Sequence, residues 1–291
     1  MPEPPPALPP LREVIARHGL GARKALGQHF LLDLNLTGRI ARAVARALPG
    51  APGDLAQGTT IEIGPGPGGL TRALLNEGAA RVVAIERDRR CVEALASLAT
   101  AYPGRLHVTP GDALDMDPTT LGPAPRRIVA NLPYNIATPL LLGWLAQLAA
   151  DPGAHGGFVL MFQSEVAARL SAPPRTKAYG RLSVMTQWLC RVERLFEVPA
   201  RAFTPPPKVT SAVVALVPRP GPLAPARLGT LERVTAAAFG QRRKMLRQSL
   251  KSLGQDPARL IAAAEVPETA RAEELDVAAF CAMARALDRA P

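Results

Sequence analysis

The sequence contains few cysteines and no apolar run long enough to cross a bilayer. Its three cysteines, Cys91, Cys190 and Cys281, lie far apart and are odd in number, which argues against a disulfide framework and a cysteine zinc site. The four histidines show no ligand spacing either, so we expect no metal. The longest apolar stretch, residues 140–150, is too short for a membrane span and contains Gln147.

We expect no secretory signal, because the first ten residues are mostly proline and have neither a basic nor a long apolar region. Residues 1–10 are predicted to be a disordered, Pro-rich tail. We expect a cytoplasmic protein in a reducing compartment, with no membrane partner, and we expect it to be a monomer.

Acidic residues are scarce relative to basic ones, 24 against 35, which gives a formal net charge of +11. Thirty of the basic residues are arginine and only five are lysine. The arginine side chain carries a planar, forked cation that suits phosphates and base edges. An Ala-, Pro- and Arg-rich chain also results from G+C-rich codons, so the composition favours a polyanionic partner without identifying one.

Short runs rich in Val and Ile alternate with segments of helical spacing in the first half of the chain. The runs are TIEIG, RVVAIE, RLHVTPGDA, RRIVANLPY and GGFVLMF, and the helical segments between them are residues 70–76, 91–101 and 139–150. This alternation predicts an α/β, Rossmann-like fold, in which a mostly parallel sheet has helices on both faces. Two later runs, RVERLFEV and SAVVALVP, are predicted to pair antiparallel at the end of the sheet.

The chain is predicted to form two domains, as its length suggests at roughly 150 residues per domain. The α/β domain occupies residues 11–217. A linker, PRPGPLAP at residues 218–225, is followed by a small all-helical C-terminal domain at residues 226–291.

The first predicted strand ends in a glycine-rich loop, IEIGPGPGGL, that opens a helix. Glycines at such a turn let the backbone approach a nucleotide-like ligand. Gly64, Gly66 and Gly69 fit the G-x-G-x-x-G spacing of dinucleotide enzymes. With Gly68 in place of Gly69, the loop fits the G-x-G-x-G spacing of S-adenosylmethionine enzymes. A tight structural turn is a third interpretation.

Acidic residues end the next two predicted strands. Glu86 follows the glycine loop at the distance expected of a carboxylate that binds ribose hydroxyls. Asp112 ends the third strand, where it can accept a hydrogen bond from an adenine amino group, although an Asp after Gly111 is also a common turn residue. Because the carboxyl ends of parallel strands share one edge of a sheet, both carboxylates are predicted to face the same crevice.

The fourth predicted strand runs into Asn131-Leu132-Pro133-Tyr134, a tetrapeptide suited to methylating an exocyclic base amine. That nitrogen is a poor nucleophile, because its lone pair is delocalised into the ring. The Asn131 side-chain oxygen and the Leu132 carbonyl can accept its two N–H protons and turn the lone pair toward a methyl donor. Pro133 stiffens the turn, and Tyr134 offers a face for an extruded base. A strand-ending turn with a core tyrosine is the alternative.

Five motifs occur in the order found in one known family: GQHFLLD, IEIGPGPGGLT, NLPY, FTPPPKVTSAVV and AAFGQRRKMLRQSL. Over about residues 11–253 the chain resembles the ribosomal RNA adenine dimethyltransferases. The resemblance implies an S-adenosylmethionine-dependent methyltransferase that yields S-adenosylhomocysteine. It also implies dimethylation of N6 of two adjacent adenosines in the 3′-terminal hairpin loop of small-subunit (16S) rRNA, with a role in small-subunit maturation.

The resemblance assigns roles to individual residues of this sequence. The implied cofactor contacts are Gln28, His29, Leu31, Gly64, Gly66, Glu86, Asp112 and Asn131, with Phe30 closing the methionine end. The implied catalytic set is Asn131, Leu132, Pro133, Tyr134 and Phe203. Phe203 would form an aromatic clamp with Tyr134, and a core plug is its alternative role. Relatives often have Asn at the position of His29, which leaves the contact made by that side chain open.

Two basic regions are candidate RNA contacts. The first contains Arg242, Arg243, Lys244, Arg247 and Lys251, and the second contains Arg175 and Lys177. At helical spacing, Arg243, Arg247 and Lys251 fall on one stripe that could follow phosphates, while Met245 and Leu246 pack inward. A solvated helix face is the alternative interpretation of such a charge run.

Three other functions remain open at this point. A methyltransferase of the macrolide-resistance type would act on large-subunit rRNA instead. A nicotinamide dehydrogenase is allowed by the glycine spacing, but it gives the NLPY tetrapeptide no role. A ribosome assembly factor would bind RNA as its main task, with catalysis secondary.

Overall fold

The computed structural model describes residues 8–23, 26–48 and 55–289. Most of the predicted tail at residues 1–10 lies outside these ranges. The strands are β1 (Phe30–Leu31), β2 (Thr59–Ile63), β3 (Val82–Glu86), β4 (Leu106–Pro110), β5 (Arg126–Asn131), β6 (Gly157–Gln163), β7 (Cys190–Val198), β8 (Phe203–Thr204) and β9 (Ser211–Pro218).

The α-helices of the described residues alternate with these strands and then follow them. They are α1 (Leu11–Arg17), α2 (Leu34–Ala47), α3 (Gly69–Asn76), α4 (Arg89–Ala101), α5 (Tyr134–Ala150), α6 (Ser164–Ser171), α7 (Arg181–Leu189), α8 (Leu228–Gly240), α9 (Leu246–Ser249), α10 (Pro257–Ala263) and α11 (Val277–Asp288).

Seven strands form one sheet in the order β4-β3-β2-β5-β6-β9-β7. The pairs from β4 to β6 are parallel, and β9 pairs antiparallel with β6. Every residue of β2 and β3 is buried, as expected of parallel strands covered on both faces. The predicted α/β, Rossmann-like fold with an antiparallel strand toward its end is confirmed. A second, two-stranded sheet pairs β1 with β8.

Amphipathic helices pack against the sheet and complete its hydrophobic core. Helix α2 begins at its N-cap Asp33, whose carboxylate accepts from the backbone N–H groups of Asn35 and Leu36. Its apolar residues, among them Ile40 and Val44, join a buried cluster with residues of the strands. Spacing of three to four residues places these side chains on one face, so the sequence itself specifies the side that packs.

The chain divides into two compact units. The first comprises the residues up to Trp144 together with Gly153–Ser164 and Arg194–Val217, and the second comprises Leu145–Pro152, Glu165–Glu193 and the residues from Pro218 onward. In the second unit an aromatic cluster includes Phe239, whose ring centroid lies 6.0 Å from that of Tyr179 and 5.4 Å from that of Phe280. The predicted domain boundaries remain an interpretation of the sequence.

No helix in the described ranges is long and apolar enough to cross a membrane. The same ranges contain no cluster of three His, Cys, Asp or Glu side chains placed to bind a metal ion. The three cysteines are buried and free.

Candidate active site

A cleft of the first unit lies where the parallel strands end. It is bordered by the loop after β2, by Glu86 at the end of β3, by Asp112 after β4 and by Asn131 at the end of β5. Residues 26–31 form another wall. The cleft has a volume of about 1010 Å³, including space open to solvent. Ligands of open α/β sheets bind at this edge, because the loops after the strands meet there.

The glycine loop presents bare backbone to the cleft. Gly64 has a φ of +65°, and a Cβ at that position would meet nothing within 4 Å. Gly66 has a φ of +56°, and a Cβ there would lie 3.0 Å from the Phe30 ring. Both positions therefore favour glycine, Gly64 for its backbone conformation and Gly66 also because Phe30 packs against it.

Glu86 holds the loop in place through its carboxylate. Its Oε2 accepts from the Gly66 N–H at 3.0 Å, and its Oε1 accepts from the Asp88 N–H at 2.7 Å. Burial raises the pKa of Glu86, and the backbone N–H donors oppose that shift. Each carboxylate oxygen has a second lone pair, so the group can also accept from ligand hydroxyls.

Asp88 connects the N-terminal segment to this strand edge, a connection that the sequence analysis missed. The side chain of Asp88 is 1% exposed and forms an ion pair with Arg90, with Nη2 and Oδ2 2.6 Å apart. The Gln28 amide donates to Asp88 at 3.0 Å, and Arg90 also donates to the Gly19 and Gly21 carbonyls. These donors lower the pKa of Asp88 to about 2. An Asp at a helix N-cap was the available signal, but its partners are distant in sequence.

Asp112 and Glu62 also border the cleft. Asp112 accepts from Arg87 at 2.9 Å and from the Leu114 N–H at 3.0 Å, so its carboxylate is held in a fixed orientation. Glu62, in β2, is 2% exposed, and burial raises its pKa to about 8. Glu62 was not predicted as a site residue, because one acidic residue in an apolar strand carries no spacing signal.

The Asn131 amide has a defined orientation. Its Nδ2 donates to the His29 carbonyl oxygen at 2.8 Å. A carbonyl can only accept, so the amide cannot be rotated to exchange its nitrogen and oxygen without losing this bond. The Asn131 Oδ1 is therefore left as the free acceptor. Within the part of the chain that the structure describes, no hydrogen bond reaches the neighbouring Leu132 carbonyl oxygen either.

Pro133 and Leu132 form the turn between strand and helix. The Pro133 carbonyl accepts from the N–H groups of Ile136 and Ala137 at 3.1 and 3.2 Å, which starts α5. The Leu132 side chain is buried. The turn is therefore anchored by the helix on one side and by the core on the other.

Three rings gather beside this turn. The His29 ring centroid lies 6.0 Å from that of Tyr134 and 6.5 Å from that of Phe203. His29 Nδ1 donates to the Pro205 carbonyl at 2.7 Å, and the Tyr134 hydroxyl bonds to Ser211 at 2.8 Å. Burial raises the pKa of Tyr134. The structure thus groups the His29 side chain with the two predicted clamp residues.

The remaining predicted residues on the N-terminal segment lie close to these. Leu31 pairs with Phe203 across the two-stranded sheet, and both side chains are buried. Gln28 borders the cleft, although its amide nitrogen is engaged by Asp88. Of the predicted cofactor and catalytic residues, all but Leu132, Tyr134 and Phe203 border the cleft. The Tyr134 and Phe203 rings lie near that of His29, which does border it.

The first predicted basic region has a different local structure from the one expected. Helix α8 ends at Gly240, the chain turns, and α9 begins only at Leu246, so the expectation of one helical stripe through Arg243 and Lys251 is wrong. Met245 is extended and forms a β-bridge with Arg271, a long-range contact that interrupts the helix. The exposed basic residues there are Arg243, Lys244, Arg247 and Lys251.

Arg242 differs from its neighbours, because it is bonded within the second unit. Its Nε pairs with Glu273 at 2.8 Å, and its Nη2 donates to the Thr176 carbonyl at 3.1 Å. The Arg175 N–H donates to the Glu273 carbonyl at 2.7 Å. Glu273 therefore brings the two predicted basic regions together, while the side chains of Arg175 and Lys177 are exposed.

Comparison with known proteins identifies the family of the chain. The family model described as "Ribosomal RNA adenine dimethylase" matches residues 19–289. The chain is 65% identical over 283 residues to a ribosomal RNA small subunit methyltransferase A of Rhodospirillum rubrum, covering 97% of this chain and 94% of the relative. It is 66% identical over 281 residues to the protein of that name in Paramagnetospirillum magneticum, covering 97% and 95%.

Solved structures share the fold. A dimethyladenosine transferase from Plasmodium falciparum aligns with a TM-score of 0.68 and 24% identity, covering 88% of this chain and 96% of that one. The 23S rRNA methyltransferase ErmE aligns with a TM-score of 0.64 and 28% identity, covering 89% and 100%. With a family match over nearly its whole length, and with the NLPY turn at the cleft, the chain belongs to the ribosomal RNA adenine dimethylase family.

Proposed function

We propose that this enzyme dimethylates N6 of two adjacent adenosines in the 3′-terminal hairpin loop of 16S rRNA, with a role in small-subunit maturation. The observation that carries the proposal is the Asn131 Oδ1 acceptor at the cleft, followed in the chain by a Leu132 carbonyl that no hydrogen bond reaches among the described residues. The names of the relatives from Rhodospirillum and Paramagnetospirillum support the small subunit as substrate. We propose that the enzyme acts in the cytoplasm, where small subunits assemble. We also propose that it is a monomer.

The methyl donor is S-adenosylmethionine, which supplies an electrophilic methyl group and leaves as S-adenosylhomocysteine. The cleft residues fit such a donor. The open backbone at Gly64 leaves room for close approach, and the fixed carboxylates of Glu86 and Asp112 can accept from ribose hydroxyls and an adenine amine. Phe30, packed on Gly66, gives the cleft an apolar wall.

In the proposed reaction the chain orients the target amine. Asn131 Oδ1 and the Leu132 carbonyl accept hydrogen bonds from the two N–H groups of the amine. The nitrogen thereby becomes more tetrahedral, and its lone pair points toward the methyl group. No strong general base is required, because the methylated ammonium loses its proton readily. The second transfer requires the monomethylated amine to turn and present its remaining hydrogen.

We infer that the target base stacks against Tyr134 and Phe203 and that the His29 ring forms a further wall of this base pocket. The ring distances of 6.0 and 6.5 Å support this role for the His29 side chain, and His29 also borders the cofactor cleft. His29→Ala removes the ring and keeps the carbonyl that orients Asn131. We expect an unchanged Kd for S-adenosylmethionine by calorimetry and about a tenfold lower kcat/KM for small subunits. A weakened cofactor Kd with normal kcat would contradict this inference.

The exposed cations of the second unit are proposed to bind RNA phosphates. They are Arg243, Lys244, Arg247, Lys251, Arg175 and Lys177. Arg242 contributes to RNA binding mainly by holding this surface together, because its guanidinium is paired with Glu273.

Methyl transfer from labelled cofactor to unmethylated small subunits, followed by nucleoside analysis, tests the function. We expect dimethyladenosine with the wild-type enzyme and none with Asn131→Ala. An otherwise active preparation that forms no dimethyladenosine on small subunits would contradict the proposal. Labelling of large subunits in a parallel reaction would instead favour the macrolide-resistance type of activity.

A further inference from the structure

A second cleft of the first unit lies outside the cofactor cleft and carries three arginines. Arg12 comes from α1, Arg39 from α2 and Arg201 from the 3₁₀ turn after β7. All three are exposed. We call this surface, defined by Arg12, Arg39 and Arg201, the arginine cleft.

The three guanidinium groups have no acidic partner, whereas the acidic side chains at the same cleft are engaged. Across the described ranges, no carboxylate forms an ion pair with Arg12, Arg39 or Arg201. Asp33 Oδ1 caps α2, and Glu197 pairs with Arg194 at 3.1 Å. The arginine cleft therefore keeps cationic groups available for an external anion.

Arg39 is held in one orientation. Its guanidinium carbon lies 3.8 Å above the centre of the Phe196 ring, a stacking arrangement that is favourable for arginine. A guanidinium stacked through its face still presents its N–H edges to a ligand. The stacked arginine thus loses less conformational entropy on binding than a free surface side chain would.

One short strand joins the arginine cleft to the base pocket. In β8, Phe203 is buried and belongs to the ring group with His29 and Tyr134, while the next residue, Thr204, is exposed and lines the arginine cleft. Successive residues of a strand point to opposite sides. The two surfaces are therefore neighbours across a single strand.

We propose that the arginine cleft binds phosphates of the rRNA strand that flank the target adenosine. This inference rests on the proposed function, because it names the part of the substrate next to the flipped base. An enzyme that rotates a nucleotide out of its stack needs to hold the adjoining backbone. Arginine forks suit phosphate oxygens better than a point charge does, because they can bind two oxygens at once.

The test replaces all three residues, in Arg12→Gln/Arg39→Gln/Arg201→Gln. A matched control, Arg17→Gln/Arg46→Gln/Arg89→Gln, removes the same charge from exposed arginines of α1, α2 and α4. Binding to unmethylated small subunits is measured at several salt concentrations, together with KM, kcat, the Kd for S-adenosylmethionine and thermal unfolding.

We expect the cleft variant to raise KM for subunits by roughly 10- to 100-fold relative to the control, with kcat within about twofold. The slope of log K against log salt should become shallower by about 2, since each lost phosphate contact removes about 0.7–0.9. Unfolding and cofactor binding should match the control. Equal KM and equal slope for the two triple variants would overturn the proposal.

Hydroxyl-radical footprinting of the bound subunits separates RNA from protein as the ligand. We expect the cleft variant to lose protection of the RNA backbone beside the target adenosines. Weaker binding with unchanged RNA protection would assign the cleft to an acidic protein segment and overturn the proposal. If wild-type enzyme does not methylate small subunits, the proposed function fails, and the salt slope on the RNA that it does bind still decides the cleft.

Discussion

At the scale of single residues, the site depends on which atom of an amide faces the substrate. Asn131 donates through Nδ2 to the His29 carbonyl, which leaves Oδ1 as the acceptor that we propose for the target amine. A carboxylate of the same shape would place an oxygen against that carbonyl, and two acceptors repel each other.

Asn131→Asp is therefore expected to lower kcat by about 10²- to 10³-fold, the size of effect seen when one positioned polar group of an active site is lost. The Kd for S-adenosylmethionine should change far less, because the carboxylates of Glu86 and Asp112 remain. Single-turnover methylation and calorimetry measure the two quantities. An Asp variant with near-normal kcat would show that the amide orientation is unimportant.

Glu62 gives the apo enzyme a pH-dependent stability. Its pKa is raised to about 8 in the folded chain and is near 4.3 when unfolded. Between these values the folded state holds a proton that the unfolded state has lost, so stability falls as pH rises from about 4.5 to 8. The expected loss is on the order of a few kcal/mol, at about 1.4 kcal/mol per pKa unit.

Glu62→Gln should remove this part of the pH dependence, because glutamine has nearly the same shape and does not titrate. Urea unfolding of both proteins without cofactor, at pH 5, 6.5 and 8, measures the free energy of unfolding. The gap between variant and wild type should shift in favour of the variant as pH rises. Parallel pH curves would mean that Glu62 titrates normally.

Several site residues were predictable because parallel strands end at one edge. Gly64, Glu86, Asp112 and Asn131 each lie at or just after the carboxyl end of a strand, so the strand pattern alone brings them together. The contact of Gln28 with Asp88 was not predictable, because 60 residues separate the two and Asp88 belongs to no motif. The place of His29 beside the clamp rings required the pairing of β1 with β8, which are only two residues each.

At the scale of elements, the start of α4 stabilises the cleft wall. Asp88 caps this helix and also binds Gln28 and Arg90, which in turn holds the Gly19 and Gly21 carbonyls. One N-cap thereby anchors an N-terminal segment that borders the cofactor cleft.

Asp88→Asn keeps a capping oxygen but loses the charge. We expect about 1–3 kcal/mol lower stability at pH 7, typical of hydrogen bonds to charged groups, and a weaker Kd for S-adenosylmethionine. Because the folded pKa of Asp88 is lowered to about 2, its contribution is present above about pH 4 and lost as pH falls toward 2. Urea unfolding and calorimetry provide the measurements.

The control is Asp256→Asn, at the N-cap of α10, where the aspartate is exposed and only caps the helix. Its effect should stay below about 0.5 kcal/mol, since asparagine caps nearly as well. Equal effects of the two substitutions would show that the Asp88 partners contribute nothing beyond capping.

Elements with a strong internal period were predicted well, and the exception has a tertiary cause. The spacing of apolar residues located α3, α4 and most of α5. It failed at residues 241–245, where the Leu246 N–H bonds to the Ala270 carbonyl at 2.8 Å. The local spacing of residues contains no information about a hydrogen-bond partner 24 residues away. The helix predicted from that spacing therefore continues through residues at which the actual helix is interrupted.

At the scale of the whole molecule, the arginines that contribute to the net charge of +11 have two different roles. Some arginines, such as Arg242 and Arg90, stabilise the fold through ion pairs. Others are exposed and form no ion pair with any described carboxylate. The amino-acid composition gives only the net charge of the chain and not the role of each arginine. The structure separates the two groups, because it shows which arginines pair with a carboxylate, as Arg90 and Arg242 do.

The neighbouring residues Arg242 and Arg243 test this separation. Arg242→Gln should lower the free energy of unfolding by about 1 kcal/mol, because it breaks the bonds to Glu273 and Thr176. Arg243→Gln should leave stability unchanged, raise KM for subunits severalfold and reduce the salt slope by about 0.7–0.9. Identical stability and identical KM for both variants would contradict the assignment.

The division of the chain into units was only partly accessible from sequence. Pro218 begins the last portion of the second unit, and the proline-rich stretch after it was the visible signal. Residues 145–152 and 165–193 also group with that unit. They belong to the same run of alternating helices and strands as the sheet, and no change in composition sets them apart.

The bond between Asn131 and the main chain at His29 has an evolutionary consequence. Every residue type has the same backbone carbonyl oxygen at position 29. The orientation of the Asn131 amide therefore does not depend on which side chain occurs at that position. Substitution at position 29 can thus reshape the wall of the pocket and adjust substrate preference while the chemistry is preserved, which makes it a permissive site for diversification.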